Sequence, residues 1–436
     1  MAATTLLLER VILARVLTAK EEKLAAPLNE LASLACTAGA IVAGQLVQKR
    51  EQADATFFIG RGKVDELKQL VDATGAMAVI FDNPLSPSQE RNLKQEIGVP
   101  VLNRTELIIH IFAQRAHTQE AKLQVELAAL SYRLTRLSAH GESFAQQIAV
   151  VGMRGPGEKK LEYDRRTIQK QIDKLKVKLD SVICSRREQR KGRQGKPVCA
   201  LVGYTNAGKS ALLNALTGSS KLVEDKLFAT LDPAVRRYRL PDGTTVLISD
   251  TVGFISNLPP QLVAAFRATL EEVQEADLLL HTIDIAEPGV EERVAEVMRT
   301  LKELKAERKP MVAVLNKVDL VPSRIRVHKY RKYPHAVAVS ARTGEGLDKL
   351  AEMMGTVLRQ AWVPARVALH HTQQRVALAL IEPAALVTKK EYSEDGSVLL
   401  MEFTAAPEFL ESLRTRGYAV ELLSDDYAWR TRDELA

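Results

Sequence analysis

Over the first 115 residues, short apolar runs alternate with stretches whose apolar positions recur every three or four residues. The runs are VILARVL from Val11, AIVAGQLV from Ala40 and AMAVIF from Ala76; the helical stretches are KEEKLAAPLNELASLA and SPSQERNLKQEIG. That alternation predicts βα units around a mostly parallel sheet. From Thr118 the period lengthens. Leu123, Leu127, Leu130, Leu134 and Leu137, then Leu161, Ile168, Ile172, Leu175, Leu179 and Val182, keep a heptad-like spacing that predicts two long helices in an antiparallel hairpin. Between them, His140 to Glu158 contains Gly141, Gly152, Gly155, Pro156 and Gly157, and is expected to form a non-helical tip.

After Gly195 the strand–helix alternation returns. Strands are expected at Val198, Val235, Thr245, Leu278, Met311 and Ala336, and helices near Lys209, Pro259, Glu287 and Glu345, with a hairpin turn at Pro241 to Gly243. From Pro364 a small α+β module is predicted: a strand at RVAL, a helix at QQRVALALI, a hairpin near Gly396, a strand VLLMEF and a helix PEFLESL.

Composition adds three constraints. The chain has 436 residues and is 46% hydrophobic, enough for two to four cored domains. Its first twenty residues break their apolar runs with Glu9, Arg10 and Arg15, which fits neither a signal peptide nor a membrane span, so a cytoplasmic protein is expected. Cys36, Cys184 and Cys199 are widely spaced and without histidines at ligand spacing, and the eight histidines are scattered; disulfide and zinc chemistry are not expected. Charge is uneven. Glu158 to Lys196 holds fourteen Lys/Arg against six Asp/Glu, an excess of +8 beside +7 for the whole chain. A one-signed excess on one arm suits a phosphate backbone better than a merely solvated face.

The chemistry concentrates after Val198. Gly203, Tyr204, Thr205, Asn206, Ala207, Gly208, Lys209 and Ser210 follow an apolar strand and fit G-x-x-x-x-G-K-[ST], whose backbone N–H groups cradle phosphates, with the lysine on the terminal ones and the serine hydroxyl left for Mg²⁺. Asp250, Thr251, Val252 and Gly253 close the strand TTVLIS, placing a carboxylate to hold Mg²⁺ through water and a glycine N–H for the γ-phosphate. Asn316, Lys317, Val318 and Asp319 close MVAVL, and a carboxylate there can accept from the two donors of guanine, which adenine lacks. Ser340, Ala341 and Arg342 follow AVAV and bring a backbone N–H toward the guanine oxygen. Between the first helix and the second strand, Gly218 to Asp232 occupies the place of a switch loop; Phe228, Ala229, Thr230, Leu231 and Asp232 are expected beside the nucleotide, with Thr230 completing the Mg²⁺ shell. Lys209, Thr230 and Gly253 are the expected catalytic set, Ser210, Thr230 and Asp250 the metal set, and GTP the substrate. Phe254 stands where many GTPases place a water-orienting glutamine, so slow unaided hydrolysis is expected. A second glycine turn, FFIGRGKVDEL from Phe57, is open to two readings: a further phosphate site, or a glycine-assisted strand-to-helix turn.

The segments IGRGKVDEL, LSPSQERNL, IFAQRAHTQEAKLQVELA, RGPGEKKLEYDRR, GYTNAGKS, DKLFATLDP, DTVGFI and NKVD together resemble the HflX family of translation-associated GTPases over nearly the whole chain. The resemblance implies an α/β protein with a P-loop GTPase domain (196–362), an N-terminal nucleotide-binding-like α/β domain (1–117), a helical hairpin linker (118–195) and a small C-terminal α+β domain (363–436). It also implies action by a monomer on the rRNA of the large ribosomal subunit, splitting stalled or idle ribosomes or assisting their biogenesis. The residues themselves leave two alternatives: a nucleotide-gated RNA-binding factor that barely hydrolyses GTP, and an ATP-driven RNA remodeller using the N-terminal glycine turn. Two positions depart from the family pattern. Gln147 to Val151 replaces a glycine run, and Ala211 stands where a threonine is usual.

Overall fold

The computed structural model describes residues 9–17, 28–148, 156–191, 196–218, 227–228, 234–256, 272–321, 333, 335–360, 362–393 and 396–423. These pack as two units, one holding 9–182 and 227–228 and the other the remaining described residues.

The first unit is built on β1 (Arg10–Leu17), β2 (Ile41–Lys49), β3 (Ala78–Phe81) and β4 (Val101–Asn103), in the order β2-β1-β3-β4 and parallel throughout. Both faces are covered, so the central β1 and β3 are buried along most of their length rather than alternating, with Arg15 the exception inside β1. Helices α1 (Asn29–Thr37), α2 (Arg61–Thr74), α3 (Pro87–Ile97) and α4 (Arg104–Arg115) connect the strands or follow the last. Two of them start where the sequence writes a capping box. Ser86 with Gln89 opens α3, behind Pro87 in the first turn, and Asn103 with Glu106 opens α4.

Two long helices follow, α5 (Gln119–Ile148) and α6 (Pro156–Lys191). The expected tip is shorter than the sequence reading made it. Helix α5 runs through His140 and Gly141 to Ile148, and α6 takes in Pro156 and Gly157. One glycine costs a helix only about 1 kcal/mol, and proline is well placed in a first turn. The buried stripe of α6 is the predicted one, Ile168, Ile172, Leu175 and Leu179. On α5 the buried positions whose side chains are described are Glu120, Ala121, Gln124, Val125, Leu127 and Ala128, because the helix also packs on α3 and α4.

The second unit has a six-stranded sheet of order β10-β9-β8-β5-β7-β6: β5 (Val198–Gly203), β6 (Ala234–Arg239), β7 (Thr245–Asp250), β8 (Leu278–Asp284), β9 (Met311–Asn316) and β10 (Val337–Ala338). Only the β6–β7 hairpin is antiparallel. Helices α7 (Lys209–Thr217), α8 (Val290–Glu303) and α9 (Leu347–Gln360) flank it; the helix expected near Pro259 lies outside the described residues. The same unit ends in β11 (Val363–His370), α10 (His371–Ile381), β12 (Leu386–Tyr392), β13 (Val398–Ala405), α11 (Pro407–Thr415) and β14 (Val420–Leu422). This is a βαββαβ module with an antiparallel sheet of order β12-β13-β11-β14. The short strand β14 was not foreseen.

Candidate nucleotide site

The candidate residues gather at the carboxyl ends of β5, β7, β9 and β10, the edge of an open α/β sheet where ligands bind. Strand β5 ends on Gly203, the chain turns through Tyr204, Thr205, Asn206 and Ala207, and α7 opens on Lys209 and Ser210 behind Gly208. Gly208 has φ +90°, and a Cβ there would lie 2.3 Å from Asn316 Nδ2, so both torsion and space demand glycine.

Lys209 is buried, and its Nζ donates to the carbonyl oxygens of Gly203 (3.2 Å) and Tyr204 (2.9 Å). Burial lowers its pKa to about 8, against the opposing pull of Asp250. A cation held this way is poised for an anion. Ser210 Oγ donates to Asp250 Oδ2 at 2.6 Å, bringing together a hydroxyl and a carboxylate of the hard-oxygen type that Mg²⁺ prefers. Thr251 anchors the turn that follows by donating to Leu201 O at 2.6 Å. Past Val252, a Cβ added to Gly253 would lie 2.8 Å from Thr205 Cα and 2.9 Å from Lys209 Nζ, so this turn touches the loop directly. Phe254 N–H donates to Gly203 O (3.1 Å) and its carbonyl accepts from Thr205 N–H (2.7 Å), while its side chain is buried.

The third and fourth motifs are tied to the first. Asn316 Nδ2 donates to Ala207 O at 2.9 Å, and its Oδ1 accepts from Ala341 N–H at 3.1 Å. One buried amide therefore clamps the loop of residues 203–210 to the Ser340–Arg342 turn. Asp319, on the turn with Val318, accepts from Ser340 Oγ at 2.7 Å, and Ser340 Oγ in turn accepts from Thr343 N–H. Lys317, with φ +64°, pairs with Asp284 at 2.7 Å.

Phe228 does not join this group. Its ring is buried in the first unit, edge-on to Phe112 at 4.6 Å, and the neighbouring Leu227 N–H donates to Thr37 Oγ1. Ala229, Thr230, Leu231 and Asp232 lie outside the described residues. The other glycine turn is also engaged: Gly60 N–H donates to Gln48 Oε1, Lys63 pairs with Glu66 and Arg61 with Glu96.

Sequence reasoning missed Asp284 and His281. Asp284 is one acid among many until the fold sets it beside Lys317. His281 and Thr282 interrupt the apolar run of β8, and polar residues in a buried strand are the signal that could have found His281.

Comparison with known proteins agrees with this geometry. Four family models match in succession: "GTP-binding GTPase N-terminal" over 25–113, "GTP-binding GTPase Middle Region" over 115–193, "50S ribosome-binding GTPase" over 198–317 and "HflX C-terminal domain" over 326–419. The chain is 47% identical over 411 residues to the GTPase HflX of Caldanaerobacter subterraneus, covering 93% of each chain. It is 40% identical over 381 residues to that of Escherichia coli, covering 86% of this chain and 88% of the relative. Among solved structures it is similar to a GTP-binding protein of Sulfolobus solfataricus in complex with GDP, at 26% identity and TM-score 0.41, over 80% of this chain and 99% of that one. Four matched domains in order and relatives this close over most of the chain leave one conclusion: the chain belongs to the HflX family and is a GTPase.

Proposed function

We propose that this GTPase works on the large ribosomal subunit as a guanine-nucleotide switch whose hydrolysis is slow until it docks, and that docking serves to split stalled or idle ribosomes. The observation that carries the reading is the meeting of Lys209, Ser210 with Asp250, and Asp319 with Ser340 at one sheet edge, the first three of them within residues that match a ribosome-binding GTPase model. In this reading the loop from Gly203 to Ser210 takes the phosphates, with Lys209 exchanging its two carbonyl partners for phosphate oxygens. Ser210, Asp250 through water, and Thr230 would hold Mg²⁺, which when bound neutralises phosphate charge. Gly253 N–H faces the γ-phosphate. Asp319 reads the guanine donors, and Asn316 with Ser340, Ala341 and Arg342 frames the base.

Phe254 offers no donor or acceptor, and its buried ring cannot orient a water. Supply of that geometry by the ribosome makes turnover a report of docking. The exposed residues Arg165, Arg166, Lys170, Lys174, Lys176 and Lys178 on α6 support an rRNA contact. Single-turnover GTP hydrolysis with and without large subunits tests the proposal: slow cleavage alone and clear acceleration at saturating subunits are expected, and equal rates would overturn it. Neutralising Lys170, Lys174 and Lys178 together should lower the salt slope of subunit binding by about 0.7 to 0.9 for each phosphate left without its cation. An unchanged slope removes α6 from the rRNA interface.

A further inference from the structure

Behind the phosphate loop, β8 sets His281 opposite Val202 and Thr282 opposite Gly203 of β5. A cavity lies between this pair of strands and α8, with Val294 and Val297 among its apolar walls. The space open to a water centre there is ≈ 20 Å³, more than the roughly 10–15 Å³ that one water needs. Two residues that line it carry a buried polar atom with no hydrogen-bond partner among the described residues, His281 Nε2 and Thr205 Oγ1. Thr282 Oγ1 also lacks a partner, but the residue after His281 on the strand turns its side chain to the other face of the sheet, with Leu278 and Leu280. One orphaned buried atom is already uncommon, and two on residues lining one small cavity ask for a common partner.

The chemistry selects that partner. Burial, helped by the charge of Lys209, lowers the imidazole pKa to about 4, so at neutral pH one ring nitrogen donates and the other accepts. A cation would meet the charges of Lys209 and Arg293, and the one acid of the lining, Asp284, is already paired with Lys317. An apolar occupant would leave both atoms orphaned. Water both donates and accepts, and two partners are within its usual number in protein interiors.

We propose that this cavity is a binding site for one water molecule, held by His281 and the Thr205 hydroxyl, and that His281 acts through it as a positioning residue for the phosphate loop. Thr205 carries the effect forward. It lines the cavity, its N–H holds the Phe254 carbonyl at 2.7 Å, and its Cα stands 2.8 Å from where a Gly253 Cβ would be. Fixing the Thr205 side chain from behind fixes the loop wall that faces Gly253. The inference rests on the assignment of residues 203–210 to phosphate binding.

The test uses the full chain with His281→Leu, Thr205→Val, their combination and His281→Gln. Long-lived waters are counted by ¹⁷O magnetic relaxation dispersion, and the release rate of a fluorescent GDP is measured. Each single variant is expected to lose one long-lived water and to release GDP roughly five- to tenfold faster, the effect of one hydrogen bond. The double variant should be no worse than either single, because both remove the same water, and His281→Gln should restore both readouts to within about twofold. An unchanged water count, or single effects that multiply in the double variant, would overturn the proposal. A parallel Lys209→Met variant separates the two levels. If it binds GTP like the wild type, the phosphate-loop assignment fails; if it does not bind while the His281 and Thr205 variants match the wild type, only the water site fails.

Discussion

The parallel sheet of the first unit and the mostly parallel sheet of the second each carry a glycine turn before a helix, yet they treat charge in opposite ways. At the carboxyl ends of β1 and β3, Asp82 pairs with Arg15 (2.6 Å) and with Arg104 (2.8 Å), and Arg104 also reaches Glu30 (2.7 Å). The glycine turn before α2 is likewise spent on Gln48, Glu66 and Glu96. In the second sheet the loop lysine is buried with two carbonyls as acceptors, and its pKa falls. Buried charges that are paired have their desolvation offset, whereas a buried cation short of negative charge raises the free energy of the empty site and favours the arrival of an anion. The same architecture can serve as scaffold or as receptor, and the balance of ion pairs at the strand ends decides which.

Lys209→Met breaks this comparison most severely. GTP affinity should fall by at least about a hundredfold, since charge-assisted bonds to phosphate are lost. The nucleotide-free protein should instead gain stability. The lysine pKa is lowered in the folded state, so its cost is fully present below about pH 8 and is relieved as pH rises toward the unfolded value of 10.5. The ceiling on that gain is about 3 kcal/mol at neutral pH. Denaturant melts at pH 7 and pH 10 check it; a variant less stable than wild type at pH 7 would mean that Lys209 is compensated as fully as Arg104.

Asp319→Asn comes next. One carboxylate reading two donors should cost GTP about 10- to 100-fold on replacement, and xanthine nucleotides should bind better than they do to wild type. Direct titration with GTP, XTP and ATP settles it, and ATP competing equally with GTP in the wild type would remove the base-reading role.

A smaller effect marks where charge balance in the first unit is incomplete. Arg136 of α5 serves two carboxylates, pairing with Glu90 of α3 and lying 4.0 Å from Glu106 of α4, with Tyr132 and Asn103 completing the cluster. Burial first, and Glu90 second, push the Glu106 carboxyl up to about 7. A raised carboxyl pKa gives stability that is full below the unfolded value near 4.5 and lost as pH rises through about 7. Wild type should therefore lose about 1–3 kcal/mol between pH 5 and pH 8 through this group. Glu106→Gln keeps an acceptor for the Asn103 N–H and should flatten that dependence; a slope unchanged in the variant assigns it elsewhere.

What the sequence disclosed follows from how local each feature is. The phosphate loop, Asp250 to Gly253 and Asn316 to Asp319 are contiguous residues at strand ends, so hydrophobic period and motif place them together. The capping boxes at Ser86 and Asn103 are four-residue signals of the same local kind, which the sequence reading left unused. The Glu90, Glu106 and Arg136 cluster draws on three helices, and no window of sequence contains it. His281 acquires meaning only opposite Val202, and Phe228 was assigned to the nucleotide by its place in a loop while its ring belongs to a core with Phe112. Gly141 misled because a glycine was read as a stop, where thirty residues of helix absorb its cost.

The least effect is expected at Lys63, and that is what makes it informative. It has the sequence context of a phosphate ligand, one residue after a Gly-x-Gly and at the start of a helix. Its ammonium, however, pairs with Glu66 at 2.6 Å, three residues along α2, and Glu66 is about half exposed. The neighbouring Arg61 is held by Glu96 at 3.0 Å. An incoming phosphate would have to displace both carboxylates or bind beside them, against their charge, and the Gly60 N–H that could have met it is already given to Gln48. An exposed pair of this kind contributes little, so Lys63→Met should shift stability by no more than about 0.5 kcal/mol. Introduced beside Lys209→Met, it should leave any residual nucleotide binding unchanged within about twofold, because Lys63 holds a carboxylate and not a phosphate. Saturable ATP binding in the Lys209→Met protein that disappears on adding Lys63→Met would make the first sheet a receptor as well, and charge pairing at strand ends would no longer separate the two.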